Sequence, residues 1–308
     1  MDYAKLIDAE TWAFIRRTGE FYPPDTVAMS IAEQRRVYDE MCREFFHGYP
    51  EGVTSRDDTI SGVPVRIYQT GRAPFSLLYL HGGGFVVGGL ENHDDICAEI
   101  CQRTGARVIA VDYRLAPEHK HPAALNDVLA VGRAVAGYQA DRLVLAGDSA
   151  GANLAAAMSH ALRGELKLAG QVLIYGGFGG DINKGSYLRH ANAPLLSRDD
   201  VLFYGAMRHG SAVAESDPSA APLQDHDFSG LPPTVLFSAQ YDPLADDSRN
   251  YAAVIRQAAG QVLHVAEAGL VHGYLRARTS VARARASFER ILTAIDALGR
   301  AKPFPPAL

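Results

Sequence analysis

The chain has 308 residues, 47% of them apolar and 21% charged. That balance buries a full core and excludes disordered, collagen-like and coiled-coil designs. The net charge of −5 leaves no basic surplus, so neither nucleic acid nor an anionic membrane is an expected partner.

The first 50 residues read as helical and separate from the rest of the chain. Tyr3, Leu6, Ile7 and Phe14 recur at helical spacing around Trp12. Pro23-Pro24 then interrupts the pattern. Ser30-Ile31-Ala32-Glu33 is a capping box opening a second helix, with Ile31, Val37, Tyr38, Met41 and Phe45 on its apolar face. Charges at Asp2, Lys5, Asp8 and Glu10 break any signal-peptide apolar region, and no apolar run is long enough to span a membrane. A cytoplasmic location is the expectation. Cys42, Cys97 and Cys101 cannot all pair, which fits a reducing compartment. Cys97 and Cys101 are expected to pack on a helix rather than to hold a metal.

From residue 51 the period changes. Val63–Tyr68 reads as an edge strand. Short β-rich runs come after it at 75–80, 107–111, 142–146, 171–175, 234–238 and 261–265. Helical stretches lie at 92–104, 121–137, 150–163 and 244–259, with a last one at about 280–298. Alternating strands and helices with near-continuous apolar strands imply an α/β fold, a mostly parallel sheet covered by helices on both faces. The stretch 177–230 is too long for a simple crossover. It reads as an insertion with a helix near 199–209.

Ligands of such sheets sit beyond the carboxyl ends of the strands. After the 142–146 run comes Gly147-Asp148-Ser149-Ala150-Gly151 and then a helix. This is a G-x-S-x-G turn, where glycines let the backbone close sharply and expose the serine. After the 75–80 run comes His81-Gly82-Gly83-Gly84-Phe85. Chance gives about 0.01 His-Gly-Gly-Gly runs in a chain with this composition, so the run is the stronger of the two signals. Its bare N–H groups, at Gly83 and Gly84, suit the oxyanion of a tetrahedral intermediate, with the N–H of Ala150 as a further donor.

A serine nucleophile needs a base held by an acid, in the chain order serine, acid, histidine. Asp242 comes after the 234–238 run and precedes Pro243. Asp246 and Asp247 read as first-turn helix charges, and Asp225 and Asp227 precede the strand. Downstream of Asp242 only His264 and His272 remain. His264 lies inside the last strand, whereas His272 stands in a loop between Gly269 and Gly273. His272 is therefore the expected base, which requires its neutral form, so activity is expected to rise with pH. His119 and His121 read as a solvated turn without further ligands, and no metal site is expected.

His81-Gly82-Gly83-Gly84, Gly147-Asp148-Ser149-Ala150-Gly151, Asp242-Pro243-Leu244 and His272-Gly273 together resemble the hormone-sensitive-lipase-like branch of the α/β-hydrolases, the branch of many bacterial carboxylesterases. Asp112-Tyr113-Arg114-Leu115-Ala116-Pro117-Glu118 is similar to another of its signatures. The resemblance spans residues 60–298. It implies an α/β-hydrolase catalytic domain over 51–308, with a helical cap built from residues 1–50 and the 177–230 insertion. It implies a small ester as substrate and no cofactor. A cap and Phe85 beside the oxyanion loop favour a short or aromatic acyl group. Amide, formamide, lactone or carbamate hydrolysis by the same machinery, or small-molecule binding without chemistry, are the alternatives. An exposed last strand would pair with its copy to give a homodimer. Two departures stand out. The family's D-P-L-x-D-E-G continues here as Asp246-Asp247-Ser248, and its usual Tyr-Pro is here Tyr175-Gly176.

Overall fold

The computed structural model describes residues 1–23, 26–138, 142–210, 217–305 and 307. Eight strands form one sheet: β1 (Thr54–Ile60), β2 (Val63–Gln69), β3 (Ser76–Leu80), β4 (Arg107–Val111), β5 (Leu143–Asp148), β6 (Gly170–Ile174), β7 (Thr234–Tyr241) and β8 (Val262–Val271). Their spatial order is β1-β2-β4-β3-β5-β6-β7-β8. β2 runs antiparallel to both neighbours, and β4 through β8 are parallel. β3 and β5 are buried along their whole length, as strands covered on both faces must be.

The edge expected at Val63–Tyr68 lies one strand further out. β1 pairs along the whole of β2. Its sequence, Thr-Ser-Arg-Asp-Asp-Thr-Ile, is mostly exposed, so no apolar alternation announces it. Charged residues on an edge strand also discourage pairing with foreign chains.

The helices are α1 (Tyr3–Leu6), α2 (Ala9–Gly19), α3 (Ile31–Glu44), α4 (Asp94–Thr104), α5 (Ala123–Tyr138), α6 (Ala150–Ala161), α7 (Gly185–Arg189), α8 (Arg198–His209), α9 (Ala245–Gln257) and α10 (Ala282–Gly299). The periodic N-terminal stretch breaks at Asp8, whose carboxylate caps α2 by accepting from Thr11 N–H at 2.8 Å. Tyr3, Ile7, Phe14 and Ile15 join the main core beside Tyr241 and Leu270. Leu6 is 47% exposed, so it leaves the expected apolar face. The capping box at Ser30 forms as the sequence suggests.

The insertion carries α7 and α8. On α8, Tyr204 and Met207 meet Ile31 and Tyr38 of α3 over Val86, Val87 and Ala116. The two added segments thus converge on the loop after β3. Arg35 of α3 reinforces this by donating to the carbonyls of Val86 (2.8 Å) and Ala116 (3.0 Å). Cys97 and Cys101 pack in the core of α4 as expected, and all three cysteines are free and buried. No described helix is long and apolar enough to cross a membrane.

Candidate active site

Strand register assembles the site. Leu80 pairs with Gly147, so the turns leaving β3 and β5 emerge side by side. Tyr241 pairs with Val271, so the next residues along, Asp242 and His272, emerge together. Between Ala239 and Tyr241 the register slips, and β8 uses extra residues there. Gly269, at φ +78°, takes up the bulge, and its N–H donates to Gln240 Oε1 at 2.7 Å.

Ser149 stands between β5 and α6 at φ +52°, ψ −117°. A residue with a side chain in that region stores about 1–3 kcal/mol of strain. The surroundings enforce it. A Cβ on Gly151 would lie 1.9 Å from the Leu80 carbonyl oxygen, and one on Gly147 would lie 2.6 Å from the Gly151 backbone. Only glycine fits at either place.

His272 Nε2 lies 2.9 Å from Ser149 Oγ, and its Nδ1 lies 2.7 Å from Asp242 Oδ2. Asp242 is fully buried, and its Oδ1 accepts from Leu244 N–H at 2.8 Å. Tyr175 sets its ring edge-on to His272, with centroids 4.9 Å apart. The structure therefore brings Ser149, His272 and Asp242 into one hydrogen-bonded line. His264 instead lies by Ser238 Oγ at 2.8 Å.

The glycine loop after β3 turns tightly, with the N–H groups of Val86 and Val87 donating to Gly83 O at 3.1 and 3.0 Å. Gly83 sits at φ +131°, and a Cβ there would meet Val87 O at 2.0 Å. Gly82 N–H donates to Asp148 Oδ1 at 3.0 Å. The N–H groups of Gly83, Gly84 and Ala150 find no acceptor among the described residues. Gly84 presses on the Tyr204 ring of α8, 2.4 Å from where its Cβ would be. His81 shapes this loop. It stacks on Tyr113 at 4.2 Å, its Nδ1 meets Gly82 O at 2.8 Å, and burial pushes its pKa down to about 4.

Asp148, just before the serine, is buried against His93 Nε2 (3.1 Å), Tyr79 Oη (3.0 Å) and Tyr175 Oη (3.4 Å). Burial alone would raise its pKa. His93, Arg276 and Tyr79 outweigh burial and hold it well below the usual carboxylate range.

A cavity of about 840 Å³ opens over Ser149. Gly84, Phe85, Ala150, Asn153, Tyr204 and Arg208 are in its wall. Three contributors escape sequence reading. Asn153, one turn beyond Ser149, donates to the carbonyls of Gly177 (2.8 Å) and Ala220 (3.0 Å). Arg208 lies over the Phe85 ring at 3.7 Å. Asp247, in the first turn of α9 as expected, is in addition buried and collects Phe178 N–H (2.7 Å), Gly180 N–H (3.2 Å) and Tyr187 Oη (3.0 Å) on Oδ2. The expected solvated turn at His119 and His121 holds only for His119. The His121 side chain is 9% exposed and lies by Ser219 Oγ (2.9 Å) and Asp217 Oδ2 (3.2 Å). No metal-ligand cluster occurs among the described residues.

Residues 77–276 match the family model of the alpha/beta hydrolase fold. The chain is 34% identical over 252 residues to the carboxylesterase NlhH of Mycobacterium tuberculosis, covering 77% of this chain and 79% of the relative. It is 32% identical to the ethyl acetate hydrolase of Pseudomonas putida, covering 96% of each. Among solved structures, the hyperthermophilic esterase of Pyrobaculum calidifontis superposes with TM-score 0.81 at 29% identity, covering 88% of this chain and 94% of that one. The fold, the matched span and these relatives lead to one conclusion: this chain belongs to the hormone-sensitive-lipase-like carboxylesterase branch of the α/β-hydrolase superfamily.

Proposed function

We propose that the protein is a serine carboxylesterase acting on short-chain or small aromatic esters. The observation that carries this is the line from Ser149 through His272 to Asp242, at 2.9 and 2.7 Å, opening onto the cavity. Ser149 Oγ attacks the ester carbonyl while His272 Nε2 takes its proton. The N–H groups of Gly83, Gly84 and Ala150 hold the oxyanion that forms. The tetrahedral intermediate collapses, and the leaving alcohol takes the proton from His272. A water molecule, deprotonated by His272, then attacks the acyl-enzyme and releases the acid. Asp242 keeps the imidazole oriented and stabilises its charged form.

The convergence of α3 and α8 over the loop after β3 supports a cap built from residues 1–50 and 177–230 around a catalytic domain of residues 51–308. Phe85 bounds the substrate space beneath it. The terminal place of β8 in the sheet supports a homodimer paired along that strand. The three free cysteines support a cytoplasmic setting.

Release of p-nitrophenol from acetate, butyrate, octanoate and palmitate esters tests the reading. Wild type is expected to favour the short esters. Ser149→Ala is expected to lose about 10⁶-fold in kcat with the fold intact. Full activity in that variant, or better turnover of palmitate than acetate, would defeat the reading.

A further inference from the structure

We propose that Arg208 is a substrate-recognition residue, and that the preferred ester carries a carboxylate group which this guanidinium receives. The inference rests on the esterase reading above and names its substrate class.

Arg208 ends α8 at 6% exposure and lines the same cavity as Ser149. Its Nη1 donates to Ala220 O and its Nη2 to Asn153 Oδ1, each at 3.1 Å. Its guanidinium lies 3.7 Å from the centroid of the Phe85 ring, next to the oxyanion loop. All these partners are neutral. Among the described residues, no carboxylate lies within ion-pair distance of it. Of the two groups that oppose its burial electrostatically, the Tyr113 phenol is neutral near pH 7, which leaves Asp217. The Asp217 carboxylate is engaged elsewhere, with Ser219 N–H (2.9 Å), Ser219 Oγ (2.6 Å) and His121.

Arg278 shows the alternative. It is just as buried, at 4% exposure, and it meets Asp95 at 2.8 Å and Glu99 at 2.7 Å. The chain thus supplies carboxylates where an arginine only ties elements together. Arg276 also lacks a contacting carboxylate, but it faces Tyr38 and Cys42, acts electrostatically on Asp148, and is outside the cavity wall. A buried cation without a counter-charge is expensive, and an arriving anion removes that cost.

The rest of the wall leaves Arg208 as the fixed positive charge. Burial first, and Arg208 second, push the neighbouring His209 down to about 4, so it is neutral near pH 7. Asp181, also in the wall, is paired with Lys184 at 2.8 Å. A guanidinium carries five N–H donors in a plane and suits a carboxylate edge-on. Here Phe85 and Asn153 hold that plane, so little freedom is lost on binding. Asn153 lies one helical turn beyond Ser149, a rise of about 5.4 Å. An ester carbonyl at Ser149 and a carboxylate at Arg208 are therefore separated by a short carbon chain, as in a half-ester of a dicarboxylic acid.

The test compares monoethyl glutarate with diethyl glutarate near pH 7.5, using p-nitrophenyl acetate as a control. Wild type is expected to favour the monoester in kcat/KM by at least about tenfold. Arg208→Met is expected to abolish that ratio, chiefly by raising KM for the monoester, and Arg208→Lys to keep part of it. A wild-type ratio of one or below overturns the proposal. So does an Arg208→Met variant that loses both substrates in equal proportion, since that assigns the arginine a structural role. A second readout needs no variant. Glutarate should inhibit wild-type hydrolysis of p-nitrophenyl acetate competitively, and at least about tenfold more strongly than glutaramide. Equal inhibition overturns the proposal. Acetate-ester turnover without the glutarate preference sinks this inference alone. No ester turnover at all sinks the esterase reading beneath it.

Discussion

Asp148 and Asp247 are both buried, at 2% and 1% exposure, yet their surroundings drive them apart. Asp148 supports the floor of the site, where it receives Gly82 N–H and faces His93 and Arg276. Asp247 tethers the mouth, where the insertion leaves the sheet at Phe178 and Gly180. Every partner of Asp247 is neutral, all three sit on Oδ2, and Oδ1 has none. Burial therefore prevails over its hydrogen bonds and pushes its pKa up to about 6. Beside Asp148 a cation helps keep the buried carboxylate charged, whereas at Asp247 the neutral donors do not outweigh burial. The floor is electrostatically fixed, while the mouth changes state near neutral pH.

The largest expected effect comes from neutralising the floor. Asp148→Asn keeps the shape and leaves His93 and Arg276 facing no charge. Breaking a buried pair in this way costs about 3–5 kcal/mol. Urea unfolding measures it, and a loss below about 1 kcal/mol would mean that the two aspartates are held alike.

Next is the mouth. The pKa of Asp247 in the folded protein lies above its ordinary value of 3.8. Its contribution to stability is thus complete below that value and is lost as pH rises through about 6. Asp247→Asn cannot ionise. Relative to wild type it should gain about 2 kcal/mol between pH 4.5 and 7.5, read from paired unfolding curves. A constant difference across that range would refute the assignment.

The smallest effect tests the helix that the mouth carries. Ser197 Oγ accepts from Asp200 N–H at 3.1 Å, closing a capping box at the start of α8. Ser197→Ala should cost about 1 kcal/mol. No measurable loss in unfolding would show that packing over Val86 and Val87 fixes α8 without its cap.

The contrast between floor and mouth also marks what the sequence can express. The floor is written in glycines. Gly83 and the pair around Ser149 are required by backbone approaches under 3 Å, a Cβ on Gly82 or Gly84 would run into the Asp148 or Tyr204 side chain, and such requirements leave residue patterns behind. Asp242 and His272 come directly after strands whose apolar runs are plain. The mouth is assembled from single residues in an irregular stretch. Nothing in the sequence around Arg208 or Asp247 says that each is buried, because burial there depends on how the insertion lies over α6 and α9. β1 escapes for a related reason: a strand paired on one side and exposed along most of its length needs no apolar alternation. The break at Asp8 is legible only as a cap, not from the apolar spacing that continues through it.

The placement of His272 after the last strand has a consequence for the newborn chain. Ser149 and His272 are 123 positions apart. At about 5–20 residues per second of synthesis, the serine leaves the ribosome roughly 6–25 s before its proposed base. During that interval the glycine loop and the serine turn can already lie side by side, yet no proton acceptor stands at the hydroxyl. Under the proposed mechanism hydrolysis begins only when β8 docks beside β7, so an unfinished chain is an inert one.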